Sequence, residues 1–378
     1  MPMAMDKKYC NYMKFLKWVI ISFICLLFFT KVYAEPTSSD QSSFPSLVSS
    51  LRVKAPLKFC EEDVPVTNQE VRERLEKELL LSLWDRPQVV LWLKRSTRYL
   101  PYIEQVLRKD EMPDDLKYLA VAESALRPHA GSNKGAMGFW QFLPGTGKKY
   151  GLVIDEYFDE RRSVFASTDA AVKYLKDLHV KFKSWTLAAA AFNMGDDGLM
   201  AEMLEQGVND YYQLYLPLET QRYIFRVLSV KLILSDPEKY GFNLTGDDYY
   251  PPLEFDKINV KCQQEVPIRI IAQAAKTQFK VIKDLNPEIR GYYLAKGKHN
   301  ILIPRGASKG FKTRYKEYLK KYTAAHNERI YIVKKGDNLS SIAERYDVPL
   351  KNLIIWNKID VNHPIHPGDR LIIHKNKE

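Results

Sequence analysis

Two stretches near the C-terminus copy one another, and this repeat bounds every architecture open to the chain. Ile271-Ala272, Phe279, Ile282, Leu285-Asn286 and Ile301-Leu302-Ile303 recur at nearly constant offset as Ile342-Ala343, Leu350, Leu353, Trp356-Asn357 and Leu371-Ile372-Ile373. Each copy is too short for a large core, so each has to be a small unit closed around a few apolar side chains. In the second copy Gly336-Asp337 leads into a helix through Leu339 and Ile342. Val348, Leu350 and Leu353 fit a second helix, and Leu371-Ile372-Ile373 a closing strand. The first copy has Glu265-Val266 in place of Gly-Asp and is therefore degenerate. We place the copies at residues 255–305 and 329–375. The basic stretch between them, 306–328, carries Phe311, Tyr315, Leu319 and Tyr322 at helical spacing and reads as a linker helix rather than a membrane-binding one. With 378 residues the chain exceeds one ordinary core, so the main core has to precede both copies.

The N-terminus differs in kind. Lys7, Lys8, Lys14 and Lys17 precede an apolar run from Trp18 to Phe29, and Val32-Tyr33-Ala34 offers short residues at the positions a signal peptidase reads. That run is short for a membrane span, which needs about 20 residues. Residues 1–34 are thus expected to be a signal peptide and the protein to be exported, with an uncleaved N-terminal anchor as the alternative. Cys25 follows Ile24, where lipoprotein processing wants a small residue. Residues 35–59 are rich in Ser and Pro and read as a flexible linker. The formal charge of +11 falls to +7 once residues 1–34, with five lysines and Asp6, are removed. A basic surface suits an acidic polymer, although a merely solvated surface has the same composition. Cys60 and Cys262 survive processing and are free to pair in an oxidising compartment, but they lie in different units. Neither has a metal-binding neighbourhood, and no metal site is expected.

Residues 60–240 carry the main, mostly helical domain. Thr67-x-x-Glu70 is a capping box ahead of Val71, Leu75, Leu79 and Leu80. Asp85 and Pro87 start a second helix, and a third runs from Leu100 to Leu107. Pro113-Asp114-Asp115 opens the helix LKYLAVAES. There Leu116, Leu119 and Ala120 precede Glu123 by helical spacings, which sets Glu123 on the apolar face. A carboxyl in that setting resists ionisation and is equipped as a general acid; the plainer alternative is a helix-terminal Glu bonded to backbone or to Arg127. Gly131, Gly135 and Gly138 then allow close approach to a ligand. Gln141, between Trp140 and Phe142, needs a polar partner. Further helices are expected at Ala166–Leu178, Trp185–Phe192 and Glu219–Leu234. Asn193 is either a C-terminal cap or an amide aimed into a cleft.

Taken together these segments resemble the successive motifs of the soluble-lytic-transglycosylase family. They are Ala122-Glu123-Ser124, Gly135-Ala136-x-Gly138-x-Trp140-Gln141-Phe142-x-Pro144-x-Thr146, Phe192-Asn193-x-Gly195 and Glu219-Thr220-x-x-Tyr223. The likeness covers roughly residues 85–236, and the flanking helices and C-terminal copies resemble the membrane-bound D branch of those enzymes. The second copy resembles a LysM module. The resemblance implies a mainly α, lysozyme-like catalytic domain followed by small α+β (βααβ) LysM-type modules. It implies cleavage of the MurNAc-β-1,4-GlcNAc bond of peptidoglycan, Glu123 acting first as acid and then as base on the MurNAc 6-hydroxyl to leave a 1,6-anhydro end. Ser132, Gln141, Asn193 and Glu219 would contact sugar, with Tyr223 near Glu123. Gly336, Asp337, Asn338, Leu339 and the His363–His366 loop would line the LysM groove. Glycan strands are the implied partner, with neither nucleic acid nor a cofactor. Phe192 stands where the family usually has Tyr. A hydrolytic muramidase would need a second carboxylate across the bond; Asp155, Glu156, Asp159 and Asp169 are candidates by composition alone. A non-catalytic peptidoglycan-binding scaffold is the remaining alternative.

Overall fold

The computed structural model describes residues 45–325, 329–360 and 365–374. The expected signal peptide, the linker as far as residue 44, and His363 lie outside the described residues. After one helical turn at Leu47–Ser50, a hairpin of β1 (Leu57–Phe59) and β2 (Glu62–Val64) leads into the helical domain. Its helices are α1 (Gln69–Trp84), α2 (Arg86–Lys109), α3 (Lys117–Ser124), α4 (Pro144–Lys149), α5 (Val164–Phe182), α6 (Trp185–Met194), α7 (Asp196–Gln206) and α8 (Leu218–Ser235).

Helix α1 begins one residue later than the Thr67 capping box predicts. Asn68 is the cap, its Oδ1 accepting from the amides of Glu70 at 2.9 Å and Val71 at 3.4 Å. Val71, Leu75, Leu79 and Leu83 form the buried stripe that meets α8, where the Ser82 and Ser229 hydroxyls lie 3.0 Å apart. The second and third expected helices are one continuous helix, with Pro101 inside it. Helix α6 is the centre of the domain: Leu187 to Ala191 are buried, and its small side chains let neighbours approach closely. Its N-terminus is held by a carboxylate from far along the chain. Glu62 on β2 accepts from the Trp185 and Thr186 amides and from the Ser184 and Thr186 hydroxyls, placing negative charge at the positive end of the helix.

The C-terminal copies each fold as strand, two helices, strand. The first has β3 (Phe255–Cys262), a short β4 (Val266–Pro267), α9 (Ile268–Ala274), α10 (Phe279–Leu285), a short β5 (Tyr293–Leu294) and β6 (Gly297–Pro304). Strand β3 pairs antiparallel with β6 from Phe255–Pro304 to Cys262–Gly297. The expected linker is instead a packed element: α11 (Phe311–Ala325) buries Phe311 and Tyr315 in the core of the first copy. The second copy has β7 (Arg329–Ile332), α12 (Leu339–Arg345), α13 (Leu350–Asn357) and β8 (Arg370–Ile373), with β7 antiparallel to β8.

One side chain makes the same clasp in both copies. Asn286 donates to the Ile282 and Leu302 carbonyls and accepts from the Leu302 amide, while Asn357 makes the equivalent bonds to Leu353 and Ile372. Each amide thereby ties the end of the second helix to the closing strand. The domain and the two copies have separate apolar cores. Cys60 and Cys262 are unpaired and buried in different cores. Among the described residues no helix is long and apolar enough to cross a membrane. The observed classes are thus a mainly α domain followed by βααβ modules.

Candidate active site

Helix α3 is buried nearly all round, with Leu116, Leu119 and Ala120 fully enclosed. It ends abruptly because Ala125 (φ 53°) and Leu126 (φ 57°) are both left-handed, an uncommon conformation for residues with a Cβ. Arg95 holds this turn by donating Nη1 to the Ala125 carbonyl at 3.0 Å. Arg127 donates Nε to the Ser124 carbonyl at 3.1 Å, so its guanidinium serves the backbone. Glu123, on the last turn, accepts instead from the Tyr223 hydroxyl, 2.7 Å from Oε1. Part of Glu123 reaches solvent while protein encloses its carboxyl. Burial is the main cause that pushes this carboxyl up from 4.5 to about 7. Tyr223 and the Arg226 cation oppose the rise, and Glu219 adds to it.

Helix α8 supplies that surrounding. Glu219, Tyr223 and Arg226 are spaced four and three residues apart and so share one face. Tyr223 is buried, and burial together with Glu123 raises its phenol well above the ordinary value. Glu219 is exposed and accepts from Arg226 Nη2 at 3.2 Å. Between them Thr220 donates its hydroxyl to Asn193 Oδ1 at 3.0 Å. Asn193 is therefore not the cap of α6; Gly195 (φ 92°) takes that position, and the Asn193 amide is oriented by α8. Arg222, three residues after Glu219, anchors α8 to α1 by pairing with the buried Glu78 at 2.6 Å.

Residues 130–142 form a small closed loop beside α3. Gly138 N bonds the Ala130 carbonyl at 2.8 Å, and Met137 N bonds that of Phe142 at 3.1 Å. Ser132 is exposed and accepts from the Ala136 amide at 3.1 Å. Gln141 (φ 47°) spends its Nε2 on the Ala130 and Gly138 carbonyls, at 3.0 and 2.8 Å. Gly138 is required by space, since a Cβ there would lie 1.7 Å from the Arg161 carbonyl oxygen. Trp140 is fully buried and donates to Thr168 Oγ1 at 3.1 Å. Phe192 packs edge-on against Trp140 and Phe142, with centroids 6.3 and 5.9 Å apart.

The acids considered for a hydrolytic partner are placed otherwise. Asp159 is buried and bound to Arg161 by two 2.8 Å bonds. Asp155 accepts from the Tyr157 and Phe158 amides. Glu156 and Asp169 are exposed. The carboxylate whose charge acts on Glu123 is Glu219. In the second copy Asp337 accepts from Tyr331, the Lys334 amide and Arg345. Asn338 caps α12, its Oδ1 accepting from Ser341 N at 2.8 Å. The Asp337 and Asn338 side chains are thus committed to the fold, while Gly336 (φ 92°) stays exposed.

Helical spacing from Tyr223 would have picked out Arg226. Arg161, in the run Asp159-Glu160-Arg161-Arg162, looks like surface charge, and only the structure shows it buried.

Residues 101–213 match the family model described as the transglycosylase SLT domain, and residues 331–374 match the LysM domain. Over 293 residues the chain is 32% identical to the membrane-bound lytic murein transglycosylase D of Escherichia coli, strains K12 and O6:H1. That alignment covers 74% of this chain and spans 64% of the relatives' length. The crystal structure of the 70 kDa soluble lytic transglycosylase of Escherichia coli overlays with a TM-score of 0.33 at 18% identity, over 46% of this chain and 32% of that one. That overlay is too loose to bear on the fold. The chain thus joins a region similar to the transglycosylase SLT domain to a C-terminal region similar to the LysM domain, and it spans less than two thirds of the length of the relatives it matches.

Proposed function

We propose that this protein is a peptidoglycan lytic transglycosylase of the cell envelope, with Glu123 as its single catalytic acid and base. The observation that carries this reading is the Glu123 carboxyl: enclosed, pushed up to about 7, and bonded at 2.7 Å to a buried tyrosine. A group with that affinity is protonated often enough to give its proton to the glycosidic oxygen. Once it is charged, the Tyr223 hydroxyl and the Arg226 cation stabilise the carboxylate. It then takes the proton of the MurNAc 6-hydroxyl, which attacks its own anomeric carbon and closes the 1,6-anhydro ring. Exposed Ser132, the Gln141 carbonyl oxygen, Asn193 and Glu219 are the groups proposed to meet sugar.

We assign residues 1–34 to export and residues 336–339 of the LysM domain to glycan binding. Because the Asp337 and Asn338 side chains are engaged within the fold, backbone groups carry most of that contact. Digestion of purified sacculi followed by mass spectrometry tests the activity. Wild type should release muropeptides ending in 1,6-anhydro-MurNAc, and Glu123→Gln should release none while remaining folded. Reducing-end MurNAc would instead favour a muramidase with Glu219 as the second carboxylate. Binding without release would favour a scaffold.

A further inference from the structure

The segment 155–161 faces two ways. Toward the first C-terminal copy, the Asp159 amide bonds the Glu288 carbonyl at 2.8 Å and the Arg290 amide bonds that of Tyr157 at 2.7 Å. Arg290 Nη1 adds a 2.8 Å bond to the Asp155 carbonyl. Phe158 forms a β-bridge with Ile289 and stacks on His299 at 5.2 Å. Toward the loop of residues 130–142, Arg161 is gripped by Asp159 and donates Nη1 to the carbonyls of Gly135 at 2.8 Å and Phe142 at 3.1 Å. Its own carbonyl oxygen fills the space beside Gly138. Both partners of this relay are buried, Asp159 at 1% and Arg161 at 7% exposure, so neither side chain has room to shift independently.

The first copy has also lost the Gly-Asp that opens the second. Glu265, at that position, turns to Tyr157 of the helical domain and to Lys358 of the LysM domain. The face that starts the Asp337 clasp in one copy is a docking contact in the other.

We infer that the first copy is a positioning element rather than a glycan binder: docked through residues 288–290, it fixes the segment 155–161. Arg161, as a positioning residue, then holds the loop that carries Ser132 and Gln141. The inference takes its kinetic readout from the transglycosylase reading, whereas its geometry is independent of it.

Removing Arg161 outright would leave Asp159 buried without a counter-ion and risks unfolding, so the test is made at the docking contact. In the full-length protein, Phe158→Ala/Arg290→Ala is compared with wild type on a soluble peptidoglycan tetrasaccharide and in sacculus pelleting. The expected result is a fall in kcat of about tenfold or more, since small displacements of a positioned group are costly. KM should stay within about twofold and sacculus binding should not change. Arg161→Lys, which keeps the charge but loses the planar guanidinium that grips Asp159 and reaches the two carbonyls at once, should lower kcat in the same way. Amide exchange of residues 135–142 should accelerate in the double variant, and this holds even for a protein without turnover. Inactive wild type would sink the transglycosylase reading alone. Unchanged loop exchange, or unchanged kcat with weakened sacculus binding, would overturn the positioning role.

Discussion

Glu123 shows how an enclosed carboxyl costs stability once it is charged. Its folded value of about 7 stands above the ordinary 4.5, so the folded state holds the proton more tightly than the unfolded chain. The sign follows: the cost is absent below about pH 4.5, grows through the window to about 7, and is complete above it. Glu123→Gln should therefore be more stable than wild type at pH 8 by about 2–3 kcal/mol, after a discount because the residue as a whole is partly exposed, and equal to it at pH 4. Chemical denaturation at the two pH values measures this. Equal gains at both would mean that the carboxyl is not the source. In turnover, kcat/KM for wild type should decline above about pH 7, as the acid form disappears. At this scale the sequence was informative about Glu123 because helical spacing is geometric. The partner was visible only through family likeness, since no local rule brings a tyrosine 100 residues away to a carboxyl.

Elements were legible where apolar periodicity and caps agreed, and less so where two signals competed. Leu100-Pro101 suggests a break, yet α2 runs through it. Pro101 faces solvent, and the buried series Val89, Trp92, Leu93, Leu100, Ile103, Val106 and Leu107 outweighs the roughly 3 kcal/mol that an interior proline costs. At the start of α1 the box at Thr67 and the cap at Asn68 were both present, and the stronger cap prevailed. Residues 311–325 had a helical stripe, but a stripe does not say which surface covers it. The repeated asparagine makes the strongest element-scale prediction. Asn286 is fully buried, and replacing it by Ala removes the side-chain partner of the Leu302 amide and carbonyl, while the Ile282 carbonyl keeps the backbone amide of residue 286. Asn286→Ala should destabilise the first copy by about 2–4 kcal/mol, seen as faster amide exchange in β3 and β6. Exchange at wild-type rates would show that the clasp is redundant.

For the whole molecule, three cores joined by narrow contacts imply three degrees of independence. The first copy is tied to the helical domain by backbone bonds at residues 155–159 and by Tyr250, whose amide bonds the Lys94 carbonyl. The LysM domain instead touches the rest through Lys358, paired with Glu265 at 2.9 Å near Tyr157. Such an exposed pair contributes about 1 kcal/mol or less. Lys358→Ala should therefore leave the main thermal transition unshifted by calorimetry while broadening the angular range of the LysM domain in small-angle scattering. A shift of several degrees would reveal a larger interface. The Glu62 contact has a different consequence, for the order of assembly. Its carboxylate meets Ser184 across 122 residues of chain, so the central helix has only its local Ser184 cap until a segment made long before it has returned. Closing a loop of that length is slow relative to forming local helices. During synthesis the hairpin would wait, with its strands exposed, for a partner that the ribosome has yet to deliver. A chain begun at residue 101, where the family match starts, would lack that hairpin altogether.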